Sequence, residues 1–539
     1  MSRIQVILTE HAVVSSTRNR IFFSALILCL AALLRVGPVF SGLPYSDYID
    51  EGFVLHQASH VLKSRGVDAR WYGYPTLPAY LTAGAMLAGG PIYRQCHGHS
   101  FRRDLPGGEI GQPFAYDYDL ISPQELIIAG RLVAAALSIA TVVLTGLLGA
   151  RLQGGMAGAL AMILASVCPA LVLRASNVIV DTFACFFVTL TLYLCDQIRS
   201  ERRRSWSLGW AAAAGLAAGA SFACKYTAGV VFVAVLAAVF LFPFTKTLRL
   251  QLTAAAGTGL IVGIVLGVPA IIFDWRTVTH DLAVIARNYG TMASVPGYFG
   301  QAIQPYELGW PLVLAGWVGI AVAFRQKPTR MVMAIWSLFA VLSIAVLLLK
   351  PFQPFRNLLP LVPPFCVAGG IAFAKVFGSF PLARPSSKIA VAVILGGIAT
   401  SSLGFHSVQS LYQRMTHRDS RIEAIDWLRQ HTSKDEKILA IRELAILPEE
   451  SRRVSATSVT RSFVEASDLL DQEHFTYVVT GDLDQRFAEN PDSVSENIAR
   501  WREKTAKFTA QAEFGSGPTF VVPNVWRTND ERIVILKVR

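Results

Sequence analysis

Three acids and two cations stand where apolar stretches of the chain begin or end. Asp50 and Glu51 lie in Tyr45 to Leu62, YSDYIDEGFVLHQASHVL, just after the first apolar run. Asp181 opens a later run, and Lys225 and Arg356 occupy short breaks between runs. A carboxylate at such an edge can accept a proton from a hydroxyl or hold a divalent cation. A lysine or arginine there binds phosphate, arginine through two parallel bonds. Each residue also has a plainer use. An exposed acid in the first turn of a helix gains about 0.3–1 kcal/mol from the helix dipole. A cation at a membrane boundary reaches for lipid headgroups. The five become interesting together only if the elements that carry them bring them to one face.

Those elements are membrane spans. Of 539 residues, 53% are hydrophobic and 16% charged, and mean hydropathy is +0.44. A soluble chain of this length carries about a quarter charged residues. Collagen-like and disulfide-scaffold classes fail on 41 Gly and 7 Cys. Residues 407–539 hold 19 Lys/Arg and 21 Asp/Glu, whereas residues 1–406 hold 30 and 16. The excess positive charge therefore belongs to the apolar part. It fits topology and anionic lipid phosphate, and no aromatic-interleaved basic patch for nucleic acid is present. Cysteines lie mostly in or beside apolar runs, with no CxxC.

Spans of about 20 apolar residues are expected near 20–40, 126–149, 156–173, 179–198, 207–223, 226–245, 251–272, 309–324, 331–349, 357–378 and 388–406. Arg18 and Arg20 before the first run place the N-terminus in the cytoplasm, with that run uncleaved. The basic loops RSERRR (199–204), KTLR (246–249), RQKPTR (325–330) and RPSSK (384–388) face the cytoplasm under the positive-inside rule. Both ends of 74–93, with Pro75, Pro78 and Pro91, then lie outside, so this segment cannot cross. About eleven crossings remain. External loops are expected at 41–125 and 274–308, and Asp50, Glu51, Asp181, Lys225 and Arg356 all fall on the external side. Residues 1–406 form the membrane core and 407–539 a small external α/β domain. In that domain SRIEAIDWLRQ (420–430) reads as a helix, and 437–441, 476–480, 519–523 and 532–538 read as strands. Cys96-His97-Gly98-His99 is half of a metal pattern with no second half. P-loop, HExxH and GxSxG motifs are absent from the sequence.

The order of motifs resembles a known family. An Asp-Glu pair after the first span (Asp50, Glu51) is followed by WYGYPTLP (Trp71 to Pro78). Then come Arg131-Leu132 opening a small-residue span, a span led by Asp181, and Arg356-Asn357-Leu358-Leu359-Pro360-Leu361-Val362-Pro363. This resembles the dolichyl-phosphate-mannose protein mannosyltransferases and their bacterial relatives, including the lipid A aminoarabinose transferases. The resemblance covers roughly residues 20–406. It implies a polytopic α-helical membrane protein of the C-type glycosyltransferase fold, with external juxtamembrane helices. The implied activity is inverting transfer of a sugar from a polyprenyl-phosphate donor to a lipid, glycan or protein acceptor. It also implies a multi-pass protein of the bacterial inner membrane, working on the periplasmic side. Asp50, Glu51 and Asp181 would be the catalytic acids, Lys225 and Arg356 the donor-phosphate contacts. A divalent cation, Mg²⁺ or Mn²⁺, is left open, with Asp50 and Asp181 as its ligands if one is used. Tyr74-Pro75 stands where the family frequently has Lys-Pro-Pro or His-Pro. A transporter or flippase of a lipid-linked sugar is the competing reading. It would favour ionisable residues at the midplane and repeated halves, and no repeat is evident.

Overall fold

The computed structural model describes residues 22–105 (except 47), 123–200, 203–291, 297–349, 353–378, 403–440 (except 410, 417, 434 and 435), 463–481 (except 473), 500–515 (except 502) and 533–538. Packing divides the chain into two units. One comprises Met1–Val39, Arg131–Phe273 and Pro296–Tyr412; the other comprises Phe40–Gly130, Asp274–Val295 and Gln413–Arg539.

The first unit is helical, and the chain is a membrane protein. Among the described residues six helices are long and apolar enough to cross a bilayer: α1 (Phe22–Phe40), α4 (Gln124–Gln153), α7 (Arg204–Cys224), α9 (Lys246–Gly267), α12 (Lys327–Leu348) and α13 (Phe355–Phe377). Three shorter apolar helices accompany them, α5 (Gly155–Val167), α8 (Tyr226–Leu241) and α11 (Gly309–Arg325). Helix α6 (Val180–Ser200) has the length but carries Asp181, Asp196 and Arg199. Each expected span falls on one of these helices except 388–406, which lies largely outside the described residues.

Lipid offers helices little hydrophobic reason to associate, so close backbone approach matters more than in water. Helices α7 and α9 use Gly215 and Gly219 on one side, Gly259 and Gly263 on the other. A Cβ added at Gly259 would lie 2.1 Å from the Ala212 carbonyl, and one at Gly219 would lie 2.3 Å from that of Leu260. Helices α11 and α13 repeat the device, since a Cβ on Gly319 would meet the Ala368 carbonyl at 1.7 Å. A second adhesive is polar. Arg35, fully buried, donates to Ser138 Oγ (2.9 Å) and to the carbonyls of Ala165 (2.9 Å) and Ser166 (2.9 Å), joining α1 to α4 and α5.

The second unit holds the loop after α1, a helix from the later loop, and the tail. Helix α2 (Ile49–Ser64) precedes α3 (Leu77–His97), which contains Pro91. This is the segment expected not to cross; among the described residues it is not one of the helices apolar enough to do so. Helix α10 spans Trp275–Thr291. The tail contains α14 (Ser420–His431), β1 (Ile438–Ala440), α15 (Phe463–Gln472), β2 (Tyr477–Gly481), β3 (Thr509–Phe514) and β4 (Ile533–Lys537). The sheet order is β1-β2-β4-β3, with β1 and β2 parallel and the other pairs antiparallel. Alternation splits the strands between two faces. Ile438, Ala440, Tyr477, Val479, Ile533 and Ile535 meet α14 through Ala424, Ile425 and Leu428. Leu439 and Val478 meet Phe475 and Trp501 on the other face. The expected strand at 519–523 lies outside the described residues; β3, which the sequence reading missed, is a partner of β4.

The glycine contacts give a comparison within one helix. Gly259→Ala drives a methyl into the Ala212 carbonyl, an overpacking that costs about 1–3 kcal/mol, whereas Gly257 has nothing within 4 Å. Thermal midpoints of the detergent-solubilised full chain should fall for Gly259→Ala and hold or rise for Gly257→Ala. Equal midpoints would show that α7 and α9 do not depend on this contact.

Candidate active site

In the first unit, Asp181 occupies the first turn of α6 and is 2% exposed. Lys225, the residue after α7, points its Nζ at Asp181 Oδ1 and donates to Asn357 Oδ1 at 2.7 Å. Asn357 lies in the first turn of α13, beside the buried Arg356. One ammonium therefore ties together the ends of three helices. The side-chain oxygen and nitrogen of Gln301 hold the approach to α13, accepting from Phe355 N–H (2.8 Å) and donating to the Gln353 carbonyl (2.8 Å). A small pocket lies alongside, lined by Lys225, Thr227, Phe339, Ser343, Leu347 and Asn357.

The loop leading into α6 is braced from below. Arg174 makes a two-pronged ion pair with Glu307, Nη1 to Oε2 at 2.8 Å and Nη2 to Oε1 at 2.6 Å, both side chains 2% exposed. The Arg174 carbonyl accepts from Thr182 Oγ1 at 2.8 Å, next to Asp181. The Glu307 carbonyl accepts from Ala170 N–H at 3.1 Å. Burial holds the Glu307 carboxyl above its ordinary range, and Arg174 pulls it back.

In the second unit, Asp50 and Glu51 lie in the first turn of α2. They differ from the exposed helix-start acids considered above, being 6% and 0% exposed. The aromatic segment Trp71 to Pro75 reaches Asp50. Tyr74 donates its hydroxyl to Asp50 Oδ1 at 3.0 Å, and Phe53 stacks on Trp71 with ring centres 5.0 Å apart. Gln57, two turns along α2, donates to the carbonyls of Trp71 (2.7 Å) and Tyr74 (3.0 Å). Tyr72 N–H donates to the buried Asp281 of α10 at 2.8 Å. Tyr72 hydroxyl donates to Asp68 at 2.7 Å; burial first, then that carboxylate, raise its pKa. Gly73 fits because any Cβ there would meet Trp71 at 2.3 Å. The sequence picked out this aromatic run; its partners Gln57 and Asp281 it did not.

Asp50 and Glu51 thus belong to one unit, and Asp181, Lys225 and Arg356 to the other. Asp181 already faces a lysine ammonium, and among the described residues no group of three or more His, Cys, Asp or Glu gathers to hold an ion. His97 and His99 pair with Glu125 (3.0 Å) and Asp104 (2.7 Å) instead.

The fold of this chain is similar to those of solved membrane glycosyl- and oligosaccharyltransferase structures. ArnT from Cupriavidus metallidurans bound to undecaprenyl phosphate aligns with a TM-score of 0.57 and 13% identity, over 96% of this chain and 97% of that one. The Archaeoglobus fulgidus oligosaccharyltransferase in its apo form gives 0.53 and 13%, over 94% of this chain and 75% of that one. Archaeal AglB from the same organism, with an inhibitory peptide and a dolichol-phosphate, gives 0.52 and 11% over the same shares. At these identities the fold is what is shared. Residues 123–275, which include Asp181 and Lys225, match the family described as dolichyl-phosphate-mannose-protein mannosyltransferase. No protein with a curated description matches the chain in sequence. The resemblance drawn from motif order is borne out by this segment and by the fold.

Arg174 offers a test of the bracing. Arg174→Met leaves Glu307 buried and unpaired, which typically costs about 3–5 kcal/mol. Because burial raises the Glu307 pKa, the folded state favours its protonated form. The deficit should grow as pH rises above the ordinary carboxylate range and shrink as pH falls toward it, where the acid takes a proton. Thermal midpoints across that pH range check both points, and a pH-independent deficit would show that Glu307 is not its source.

Proposed function

We propose that the protein is an inverting glycosyltransferase that takes a sugar from a polyprenyl-phosphate carrier and passes it to a hydroxyl of a lipid, glycan or protein acceptor. The observation that carries this reading is the placement of Lys225 between Asp181 and Asn357, beside a small pocket. An ammonium has three N–H donors, and here two are directed at Asp181 and Asn357. The third can serve an anion beside the pocket, and the exposed apolar side chains of α12, Val341 and Leu348 among them, suit a hydrocarbon chain. A polyprenyl phosphate has both chemistries.

In the reaction, the acceptor hydroxyl gives its proton to Asp50 as its oxygen forms a bond to the anomeric carbon. The bond from that carbon to the phosphate oxygen breaks, and the phosphate leaves with the bonding pair. Attack opposite the leaving group inverts the centre. Lys225 and Arg356 balance the charge that grows on the departing phosphate. Asp181 fixes Lys225, and Glu51 supports Asp50. The topology in this reading has about eleven crossings. The loops that carry the acids lie on the periplasmic side of a bacterial inner membrane, with the tail.

Asp50→Asn keeps the acceptor for the Tyr74 hydroxyl and removes the basicity. General-base catalysis contributes about 10²–10⁴-fold, so transfer from a radiolabelled polyprenyl-phosphate sugar should fall by at least about two orders of magnitude at equal expression. Near wild-type transfer by this variant would remove Asp50 from the mechanism.

The Asp181–Lys225 pair argues for cation assistance by side chains, with no step through a metal. Transfer in EDTA should therefore stay within a few-fold of the untreated rate. Complete loss that Mg²⁺ or Mn²⁺ restores would overturn that assignment.

A further inference from the structure

Arg421 is the second residue of α14 and is 1% exposed. Its guanidinium pairs with Asp419, Nε to Oδ1 at 2.9 Å and Nη2 to Oδ2 at 2.6 Å. Asp419 is also the N-cap of α14, accepting from the Arg421 N–H at 2.9 Å, so the ion pair is built into the helix start. The same Nη2 donates to the carbonyl of Ser46 at 3.2 Å, 375 positions earlier in the chain. The guanidinium carbon lies 4.3 Å from the centre of the Tyr45 ring. Tyr45 is fully buried and packs into the tail core with Ala424, Ile425 and Leu428. A residue of the first loop is thus a core residue of the tail domain.

Ser46 precedes Asp50 by four positions, at most about 14 Å of extended chain. Helix α2 therefore begins within a few residues of the points at which Tyr45 and Ser46 are held by the tail, and those contacts restrain where it begins. A guanidinium suits the task because its planar fork meets a carboxylate, a carbonyl and an aromatic face at once; a lysine ammonium on its flexible stem does not.

We propose that Arg421 is a positioning residue through which the tail domain sets the first turn of α2, and with it Asp50 and Glu51. The proposal rests on the reading of Asp50 as the base, yet its structural half stands apart from that reading. The tail is then a working part of the transferase.

The test uses the full chain in lipid nanodiscs. Hydrogen exchange is followed at residues 49–54 and in the tail strands, beside kcat and the donor KM for a polyprenyl-phosphate sugar. Arg421→Lys keeps a charge for Asp419 and loses the fork; Arg421→Met loses both. In Arg421→Lys the strands should stay protected while residues 49–54 exchange about tenfold faster or more. kcat should fall about tenfold or more, with donor KM within about twofold, the pattern of a misplaced reacting group. Wild-type exchange at 49–54 in both variants, with the strands protected, would overturn the proposal. Where a variant unfolds the tail, the same peptide decides. Loosening of α2 together with the strands supports the coupling, and α2 protected beside freely exchanging strands overturns it. Asp50→Asn should leave exchange at 49–54 unchanged. Wild-type transfer by that variant would sink the role of Asp50 without touching the exchange result.

Discussion

A charge held away from water must be paired or hydrogen-bonded, and in this chain several of the partners are distant in sequence. Removing one partner of a buried ion pair costs several kcal/mol, because the other is left stranded. Arg35 reaches across to Ser138, Ala165 and Ser166, and Arg174 to Glu307. Lys225 reaches Asp181 and Asn357, and Arg421 reaches Ser46. Each is satisfied only when two or three particular segments meet. A set of spans could pack in many ways if apolar contact were the only guide, since lipid is as apolar as the helices. These cations make the alternatives costly.

Small residues then do what the charges cannot. The glycines of α7 and α9 allow close backbone contact between the two helices. The polar ties cluster at helix ends, where elements must be aimed, and the close packing runs along helix bodies, where they need only be held. The acids of the proposed site follow the first pattern. Asp181 is fixed by a lysine and by a loop that Arg174 braces, and Asp50 by Tyr74 on a segment pinned by Gln57 and Asp281. In both units the proposed site acid is held by side chains from distant segments.

Much of this was legible in the sequence, for physical reasons. Long apolar runs between basic loops locate spans because lipid tolerates nothing else. Helix 420–431 and strands 438–440, 477–481 and 533–537 showed through their periodicity. Strand β3 did not; TAQAEF is mostly exposed and has little apolar alternation to detect. The burial of Asp50 and Glu51 was equally hidden. A first-turn acid looks the same whether solvent or an aromatic segment meets it, and Tyr74, which reaches Asp50, lies 24 positions away. Tyr45 read as the lead into an amphipathic helix, when its ring belongs to the tail core. One signal went unused. Arg174 sits in a short connection that the charge rule places outside, where a basic residue is unexpected, and such departures are where long-range partners such as Glu307 are to be sought.

The pairing of Lys225 with a carboxylate bears on turnover in the proposed reaction. The donor is a phosphodiester with one negative charge, and the product is a phosphomonoester with roughly −1.5 to −2. Cations around the phosphate therefore favour the leaving group over the donor, which is the direction catalysis needs. Carried too far, the same preference would hold the spent carrier in place. Asp181 offsets much of the field of Lys225 while keeping its ammonium aimed, and Arg356 adds a cation next to Asn357 in sequence. The arrangement balances one cation and leaves the other to discriminate. A lysine with no carboxylate beside it would bind both phosphates more tightly, and release of the spent carrier would then limit the rate.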